Sequence, residues 1–263
     1  MTHVIAVTNQ KGGVGKTTTS VNLAASLSEV KRKVLLVDLD PQGNATMGSG
    51  VDKHELEYTV CDVLLGDVDI TQCIEYVEES GFSVLPANGD LTAAEVELMN
   101  ADHRERRMRD ALEKVKDRFD YIIIDCPPSL NMLTLNALVS ADGVLIPMQC
   151  EYYALEGLSS LVDTIEQVRS SVNPNLQIEG LLRTMFDPRN TLANDVSAQL
   201  IEHFGDRVYR TIVPRNVRLA EAPSYGLPAL LYEKTSRGAL AYLALAGEML
   251  RRETRRNAAT ATV

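Results

Sequence analysis

A run of glycines and lysines near the start of the chain, residues 11–17 (KGGVGKT), constrains the fold more than any other feature. It follows the apolar run Val4–Thr8, which predicts a β-strand, and it precedes Thr17–Leu27, which predicts a helix. Glycines let the backbone wrap closely around an anion, and the start of a helix offers free N–H groups and a positive dipole end. The run therefore predicts a strand–loop–helix unit that binds phosphate groups.

Short apolar, β-branched runs recur along the chain, and most are continuous rather than alternating, which is typical of strands buried on both faces of a parallel sheet. Helix-like segments separate them, so β-α-β crossovers are expected. The predicted fold is α/β: a doubly wound, mostly parallel sheet with helices on both faces, in a single domain over residues 1–250 with a flexible tail over residues 251–263. The predicted strands are Val4–Thr8, Val34–Asp38, Phe82–Pro86, Tyr121–Asp125, Val144–Pro147, Ile178–Arg183 and Val208–Val213. The predicted helices are Thr17–Leu27, Ala93–Asp117, Leu155–Ser170, Asp195–Phe204 and Arg237–Arg251.

Charge is distributed unevenly along the chain. Residues 1–182 contain 14 basic and 28 acidic residues, a net charge of −14, whereas residues 183–263 contain 12 and 8, a net charge of +4. A locally basic surface can bind nucleic acid on an acidic chain, although solvated arginines explain the same excess.

The 4 cysteines form no C-x-x-C pair, so free thiols are expected. No stretch approaches the ~20 apolar residues that span a bilayer, and the N-terminus lacks a signal-peptide pattern, so a cytoplasmic protein is expected.

The phosphate loop departs by one residue from the common pattern G-x-x-x-x-G-K-[ST], because Gln10 occupies the position of the first glycine. The residues that would bind phosphate and metal are still present. Lys16 can reach the β- and γ-phosphates of a nucleotide, and the hydroxyl of Thr17 can ligate Mg²⁺. ATP and Mg²⁺ are therefore the expected cofactors. The predicted nucleotide-binding residues of the loop are Lys11, Gly12, Gly13, Val14, Gly15, Lys16, Thr17 and Thr18.

Carboxylates at the ends of two predicted strands supply the acidic side of such a site. Asp38 and Asp40 come at the end of one strand, and Asp125 ends another. The carboxyl ends of parallel strands border the ligand crevice of an open sheet. Asp125 fits the role of holding Mg²⁺ directly or through water, whereas Asp38 is expected to support the loop or the groups that surround the bound metal. No glutamine or histidine stands out as a water-positioning group or base, so slow hydrolysis that depends on positioning is expected.

Lys11 carries a resemblance to a known family. The motif KGGVGKTT at residues 11–18 resembles the deviant Walker A motif of the ParA/MinD group of ATPases. Further blocks, spread over most of residues 1–243, resemble the chromosomal ParA (Soj) partition proteins. These blocks are DLDPQGNAT (Asp38–Thr46), IIIDCPPSL (Ile122–Leu130), TLNAL (Thr134–Leu138), PMQCEYYALEGL (Pro147–Leu158) and VPRNVRLAEAPSYGLP (Val213–Pro228).

The resemblance implies how ATP is used. In that family the early lysine reaches across a nucleotide-sandwich dimer to the phosphates of the other subunit. Lys11 is therefore expected to act in trans, with Gly12 where the two loops approach closely. Asp40 is similar to the family's switch I aspartate, which orients the attacking water and helps to hold the metal. The resemblance thus implies Lys11, Lys16 and Asp40 as catalytic residues and Thr17, Asp40 and Asp125 as metal-site residues.

The same resemblance implies the partners. Members bind DNA without sequence preference as ATP-bound dimers, and the positions that match their DNA-binding arginines are Arg189 and Arg218. Taken without the family, either arginine is equally well surface charge or an ion pair with Glu221. Pro214 and Arg215 lie in the loop expected to border the adenine. The resemblance also implies a ParB-type centromere-binding partner that stimulates hydrolysis, and an association with the nucleoid.

Other functions use the same loop. The main alternative, a MinD-like membrane-cycling ATPase, needs a C-terminal amphipathic helix with bulky apolar residues, and no Phe, Trp or Leu follows Leu250. A reductase resembling the nitrogenase iron protein needs two cysteines per subunit near the dimer seam, and Cys126 has no evident partner. A small-molecule kinase or ligase, or a non-hydrolysing structural binder, stays open. The expected function is ATP-dependent segregation of DNA.

Overall fold

One sheet organises the molecule. The computed structural model describes residues 2–260. Within them, eight strands lie in the order β3-β4-β2-β5-β1-β6-β7-β8, and every neighbouring pair is parallel except β3 and β4. The predicted mostly parallel sheet is therefore confirmed, although the short antiparallel edge strand was not predicted. The strands are β1 (His3–Val7), β2 (Val34–Asp38), β3 (Glu75–Val77), β4 (Phe82–Leu85), β5 (Tyr121–Asp125), β6 (Gly143–Met148), β7 (Gln177–Phe186) and β8 (Val208–Pro214).

Both faces of the sheet are buried, which explains why the strand sequences are continuously apolar. In β5, Ile122 and Ile124 belong to one hydrophobic cluster, whereas Tyr121 and Ile123 belong to the cluster on the opposite face. Alternate residues of a strand point to opposite faces, so a strand covered on both sides has no position for solvent-exposed polar residues.

Helices cover both faces. Helix α1 (Lys16–Glu29) follows β1 and packs with the C-terminal helix on one face. The other helices of the described chain are α2 (Asn44–Gly48), α3 (Val60–Leu65), α4 (Ile70–Cys73), α5 (Leu91–Leu98), α6 (Arg107–Glu113), α7 (Met132–Ser140), α8 (Ala154–Ser171), α9 (Thr191–Phe204), α10 (Val217–Glu221), α11 (Ala229–Tyr232) and α12 (Arg237–Thr260).

The single long helix predicted over Ala93–Asp117 is wrong. The chain turns after α5, His103 takes a left-handed conformation with φ of 52°, and α6 begins at Arg107. The side chain of Asn136 in α7 accepts a hydrogen bond from Met108 N at 3.1 Å and donates one to Arg104 O at 2.8 Å. These bonds satisfy backbone groups at the start of the new helix, so the break is stabilised by a residue distant in sequence.

Helix α12 continues to Thr260, into the segment predicted as a flexible tail from residue 251. Arg252 pairs with Glu248 at 2.8 Å within the helix, and Arg256 pairs with the buried Glu179 of β7 at 2.8 Å. These contacts attach the basic end of the helix to the sheet. Residues 261–263 lie outside the described residues.

Gly180 in β7 allows a close approach between two strands. A Cβ atom at this position would lie 2.3 Å from Cε2 of Tyr209 and 2.9 Å from Arg207 O. We expect Gly180→Ala to lower the free energy of unfolding by about 1–3 kcal/mol, because a buried ring has to move. Denaturant unfolding of both proteins measures this difference. The matched control is Gly157→Ala on α8, where a Cβ would meet no atom within 4 Å; equal losses at the two sites would contradict the steric explanation.

Candidate active site

The glycine-rich loop joins β1 to α1 and has an open glycine face. Gly13 and Gly15 have φ of 72° and 90°, a region that residues with a Cβ rarely adopt. A Cβ added at Gly12 or Gly13 would meet no atom within 4 Å. Val14 is buried, and its carbonyl accepts a 2.7 Å hydrogen bond from the hydroxyl of Thr184 in β7. The loop is thus fastened to the sheet through Val14, while its glycines remain accessible.

Lys16, the first residue of α1, is a buried cation. It is only 7% exposed, and its ammonium group donates a hydrogen bond to Lys11 O at 3.1 Å. In the described part of the chain it makes no ion pair with a carboxylate. Burial lowers the pKa of Lys16, and the nearby Asp125 opposes that effect. A buried cation that no carboxylate contacts directly is costly, so the site favours an anion beside this ammonium group.

Asp125, the last residue of β5, lies against the first turns of α1. Its carboxylate accepts hydrogen bonds from the hydroxyl of Thr17 at 2.8 Å and from the hydroxyl of Ser20 at 2.7 Å. Burial, together with the negative charge of Asp38, raises the pKa of Asp125. The structure therefore brings the predicted residues Thr17 and Asp125 together. Ser20 was missed, although its spacing of three residues from Thr17 places both hydroxyls on one helix face.

Asp38 and Asp40 have different surroundings at the end of β2. Asp38 is buried and accepts hydrogen bonds from Thr46 N and from its hydroxyl, both at 2.8 Å, and from Asp40 N at 3.1 Å. It holds the following loop, which is one of the two roles expected from the sequence. Asp40 accepts one bond, from Gln42 N at 3.0 Å, and its second carboxylate oxygen has no donor among the described residues. Asp40 is therefore the carboxylate of the two that is available for chemistry.

Lys11 is placed apart from Lys16. Its ammonium group pairs with Glu151, just after β6, at 2.5 Å, and both side chains are about half exposed. The backbone N–H of Lys11 donates to Asn9 at 3.0 Å, and Asn9 donates to Pro147 O at 2.9 Å. Glu151 was not predicted as a site residue, and no spacing in the sequence links it to the loop.

The residues predicted near the base, Pro214 and Arg215, lie at the end of the last strand. Pro214 ends β8 opposite Phe186 of β7, and Arg215 is exposed beyond it. Met185, next to Thr184, has a positive φ of 49°.

Thr18, the last residue of the predicted phosphate loop, is half-buried on α1, and its carbonyl accepts a hydrogen bond from the side chain of Asn22 at 2.8 Å.

Arg189 and Arg218 follow the carboxyl ends of the adjacent strands β7 and β8, and each has an acidic partner. The Nε and Nη2 atoms of Arg189 donate hydrogen bonds to the carboxylate of Asp187, at 2.9 and 2.8 Å. The side chain of Arg189 is nevertheless 88% exposed. Arg218 pairs with Glu221 at 2.7 Å, the ion pair that the sequence offered as its alternative role. Asp187 was not predicted as a partner.

Known proteins resemble this chain over almost its whole length. A family model described as an AAA domain matches residues 2–178. The chromosome partitioning protein ParA of Myxococcus xanthus is 53% identical over 252 residues, which cover 96% of this chain and 89% of that protein. The sporulation initiation inhibitor protein Soj of Bacillus subtilis is 53% identical over 249 residues, 95% of this chain and 98% of Soj.

Solved structures agree with this similarity. Cobyrinic acid a,c-diamide synthase from Mycobacterium smegmatis, with a bound ATP analog and magnesium, superimposes with a TM-score of 0.85 at 40% identity and covers 97% of this chain and 96% of that one. The cell division ATPase MinD of Pyrococcus furiosus gives a TM-score of 0.79 at 27% identity, covering 95% and 99%.

The sheet, the glycine-rich loop and these similarities define a P-loop ATPase whose cofactors are ATP and Mg²⁺. Within that class, the chain belongs to the ParA/Soj family of chromosome partitioning ATPases. In residues 2–260, no helix is both long and apolar enough to cross a membrane.

The residues present fit Mg-ATP. The accessible glycines and the ammonium group of Lys16, which forms no ion pair among the described residues, suit the phosphates. The described residues contain no cluster of three or more His, Cys, Asp or Glu side chains that would hold a metal alone. Mg²⁺ does not require one, because it commonly binds one or two carboxylates together with water and substrate phosphates. When bound, Mg²⁺ neutralises the phosphate charge and orients the nucleotide.

Proposed function

We propose that this protein is an ATP-gated DNA-segregation ATPase. Two subunits enclose ATP between them, the resulting dimer binds double-stranded DNA without sequence preference, and slow hydrolysis releases it. A ParB-type centromere-binding protein accelerates hydrolysis. The protein works in the cytoplasm, where it associates with the nucleoid. Its similarity to ParA of Myxococcus xanthus over 96% of the chain supports this family of functions.

The position of Lys11 is the observation that supports the proposed dimer. Its ammonium group pairs with Glu151 at 2.5 Å instead of joining Lys16 at its own glycine face. Exposed ion pairs contribute only about 0.2–1 kcal/mol, so this pair can be exchanged for a phosphate of the second subunit. In this proposal Gly12 lies where the loops approach each other, because a side chain there would separate them.

The roles in hydrolysis follow from the surroundings of each group. Lys16 binds phosphate oxygens, Thr17 and Asp125 hold the metal, and the free carboxylate oxygen of Asp40 orients water and assists at the metal. Lys11 stabilises charge on the phosphates of the second subunit. These residues position and stabilise rather than remove a proton, which accords with slow turnover. Pro214 and Arg215 border the adenine.

DNA binding is assigned to Arg189 and Arg218. Both lie after the carboxyl ends of adjacent strands, and both are exposed enough to exchange a carboxylate for a phosphate. Their partners Asp187 and Glu221 compete with DNA, so the affinity is expected to be moderate and strongly dependent on salt. The MinD-like alternative predicts binding to anionic vesicles instead of DNA.

Sedimentation and DNA retention test the proposal, each with ATP, with ADP and without nucleotide. Only ATP should produce dimers and added retention on arbitrary duplexes. The Arg189→Ala/Arg218→Ala variant should still dimerise but bind DNA at least tenfold more weakly, with a salt slope reduced by about 0.9 for each phosphate that is no longer neutralised. Asp187→Asn should strengthen binding about 2- to 5-fold, since the amide keeps the 3.0 Å bond from Arg189 N and removes the competing charge.

Two results would contradict the assignment. If ATP neither dimerises the protein nor promotes DNA binding, the segregation function is wrong. If the double alanine variant binds DNA normally in its ATP form, the arginines are wrongly assigned although the function stands.

A further inference from the structure

A large groove lies at the opposite end of the sheet from the nucleotide loop. Its volume is about 1080 Å³, and it is bordered by the starts of β7 and β8 and by α12 between Leu243 and Arg256. We call it the arginine groove, because the arginines that line it are Arg207, Arg210, Arg251, Arg252, Arg255 and Arg256. Its acidic lining residues are Glu179, Asp206 and Glu248.

Two of these acidic residues are neutralised within the groove wall. Glu248 pairs with Arg252 at 2.8 Å and also accepts hydrogen bonds from the backbone N–H groups of Arg210 and Thr211, both at 2.9 Å. Glu179 is buried and pairs with Arg256 at 2.8 Å. These carboxylates therefore build the wall and leave little negative charge to offset the remaining arginines.

The other arginines of the groove have no acidic partner. In the part of the chain that the structure describes, Arg207, Arg210, Arg251 and Arg255 are exposed and form no ion pair. The remaining acid, Asp206, is outnumbered by them. Unpaired arginines in one concavity repel each other, and the positive potential that they create is focused between the groove walls. The groove therefore attracts anions on a protein whose net charge is −10.

The spacing on α12 suits a linear anion. Arg251 and Arg255 are four residues apart, so they lie on one helix face about 6 Å apart along the axis. Arg252 is held over the ring of Tyr209 at 4.0 Å, which fixes the neighbouring row of side chains. Guanidinium groups bind phosphates in a bidentate manner, and duplex DNA carries one negative charge per ~1.7 Å of its axis.

This surface is separate from the one assigned to Arg189 and Arg218. Those arginines follow the carboxyl ends of β7 and β8, whereas the groove lies at the amino ends of the same strands. At about 3.3 Å per residue, strands of 10 and 7 residues place the two surfaces roughly 20–30 Å apart. It is also distant from Lys11, so dimerisation through the nucleotide face leaves it accessible.

We propose that the arginine groove is a second DNA-binding surface, which contacts the sugar-phosphate backbone of a duplex whether or not nucleotide is bound. This proposal rests on the proposed function, because it assumes that the protein binds DNA. A membrane is a poorer occupant, because a concave groove lined by arginines does not insert apolar side chains into a bilayer. This contact with DNA is weak and independent of ATP, and it remains when hydrolysis ends the stronger binding assigned to Arg189 and Arg218.

Fluorescence anisotropy of a labelled 24-base-pair duplex, over a range of salt concentrations, tests this surface. Without nucleotide, Arg251→Ala/Arg255→Ala should weaken binding at least fivefold and reduce the salt slope by about 2, since each neutralised phosphate accounts for about 0.9 of that slope. Arg251→Lys/Arg255→Lys should keep the wild-type salt slope. The matched control, Arg109→Ala/Arg169→Ala, removes two exposed arginines elsewhere and should change neither quantity.

The same measurements distinguish the arginine groove from the surface of Arg189 and Arg218. The groove variant should keep the additional binding that ATP induces, whereas Arg189→Ala/Arg218→Ala should lose only that addition. If wild-type protein binds no DNA without nucleotide, or if the groove variant binds as tightly as wild type, the second surface is wrong. Loss of binding to phosphatidylglycerol vesicles with unchanged DNA binding would assign the groove to a membrane instead. If ATP adds no DNA binding to the wild type, the proposed function fails separately.

Discussion

The Lys16→Gln variant is expected to hydrolyse ATP at least 100-fold more slowly than the wild type. Lys16 is the buried cation at the start of α1, and in the described chain no carboxylate pairs with it. Its charge is therefore available to phosphate oxygens, and because Lys16 is only 7% exposed, such a contact is worth far more than one at the surface. Steady-state phosphate release measures the loss.

The same substitution should not destabilise the protein without nucleotide. Burial lowers the pKa of Lys16, so its charged form costs folding free energy at pH values below that lowered pKa, and the cost disappears as pH rises toward the usual value. Glutamine removes this cost. The melting temperature without nucleotide should be unchanged or higher, whereas the stabilisation by Mg-ATP, about 2.7 kcal/mol at 100 times Kd, should disappear.

Lys11→Gln is the matched control for this experiment. The ammonium group of Lys11 is half-exposed and pairs with Glu151, so the variant should keep the shift in melting temperature that Mg-ATP produces, while losing the ATP-dependent dimer. If Lys16→Gln still melts at a higher temperature with Mg-ATP, the assignment of Lys16 to phosphate binding is incorrect.

The strands were predictable because burial on both faces leaves a continuous apolar signal. The ends of Val34–Asp38 and Tyr121–Asp125 agree with the structure, and the other predicted strands differ at their ends by one to three residues. The break in the predicted helix Ala93–Asp117 was not predictable, because Asn136 stabilises it from another element. The edge strand β3 has only 3 residues, too few to show a pattern.

The phosphate side of the site was predictable for a similar reason. Parallel strands bring their carboxyl ends to one edge, so Asp125 had to lie near the loop after β1, and its bond with Thr17 agrees with that expectation. Partners contributed by loops were not predictable. Glu151 and Asp187 reach Lys11 and Arg189 through backbone turns that leave no periodic signal in the sequence.

Asp125→Asn should reduce ATP hydrolysis by 100-fold or more and remove most of its dependence on Mg²⁺. The change keeps the shape of the side chain. Its amide oxygen can still accept from one of the hydroxyls of Thr17 and Ser20, and its NH₂ group can donate to the other after that hydroxyl rotates. Fold and nucleotide loop should therefore persist, and what the variant lacks is the negative charge that we propose binds the metal.

Stability and a neighbouring variant separate the loss of this charge from a loss of structure. Burial raises the pKa of Asp125, so its ionised form is costly in the metal-free protein, and Asp125→Asn should unfold at the same or a higher temperature without Mg²⁺. Ser20→Ala removes one 2.7 Å bond to the same carboxylate but keeps its charge, so it should lower hydrolysis less than tenfold, in line with about 1 kcal/mol for one hydrogen bond. An ATP titration at several Mg²⁺ concentrations, followed by phosphate release, compares the three proteins. Equal losses in Asp125→Asn and Ser20→Ala would mean that Asp125 acts by supporting α1 rather than by holding the metal.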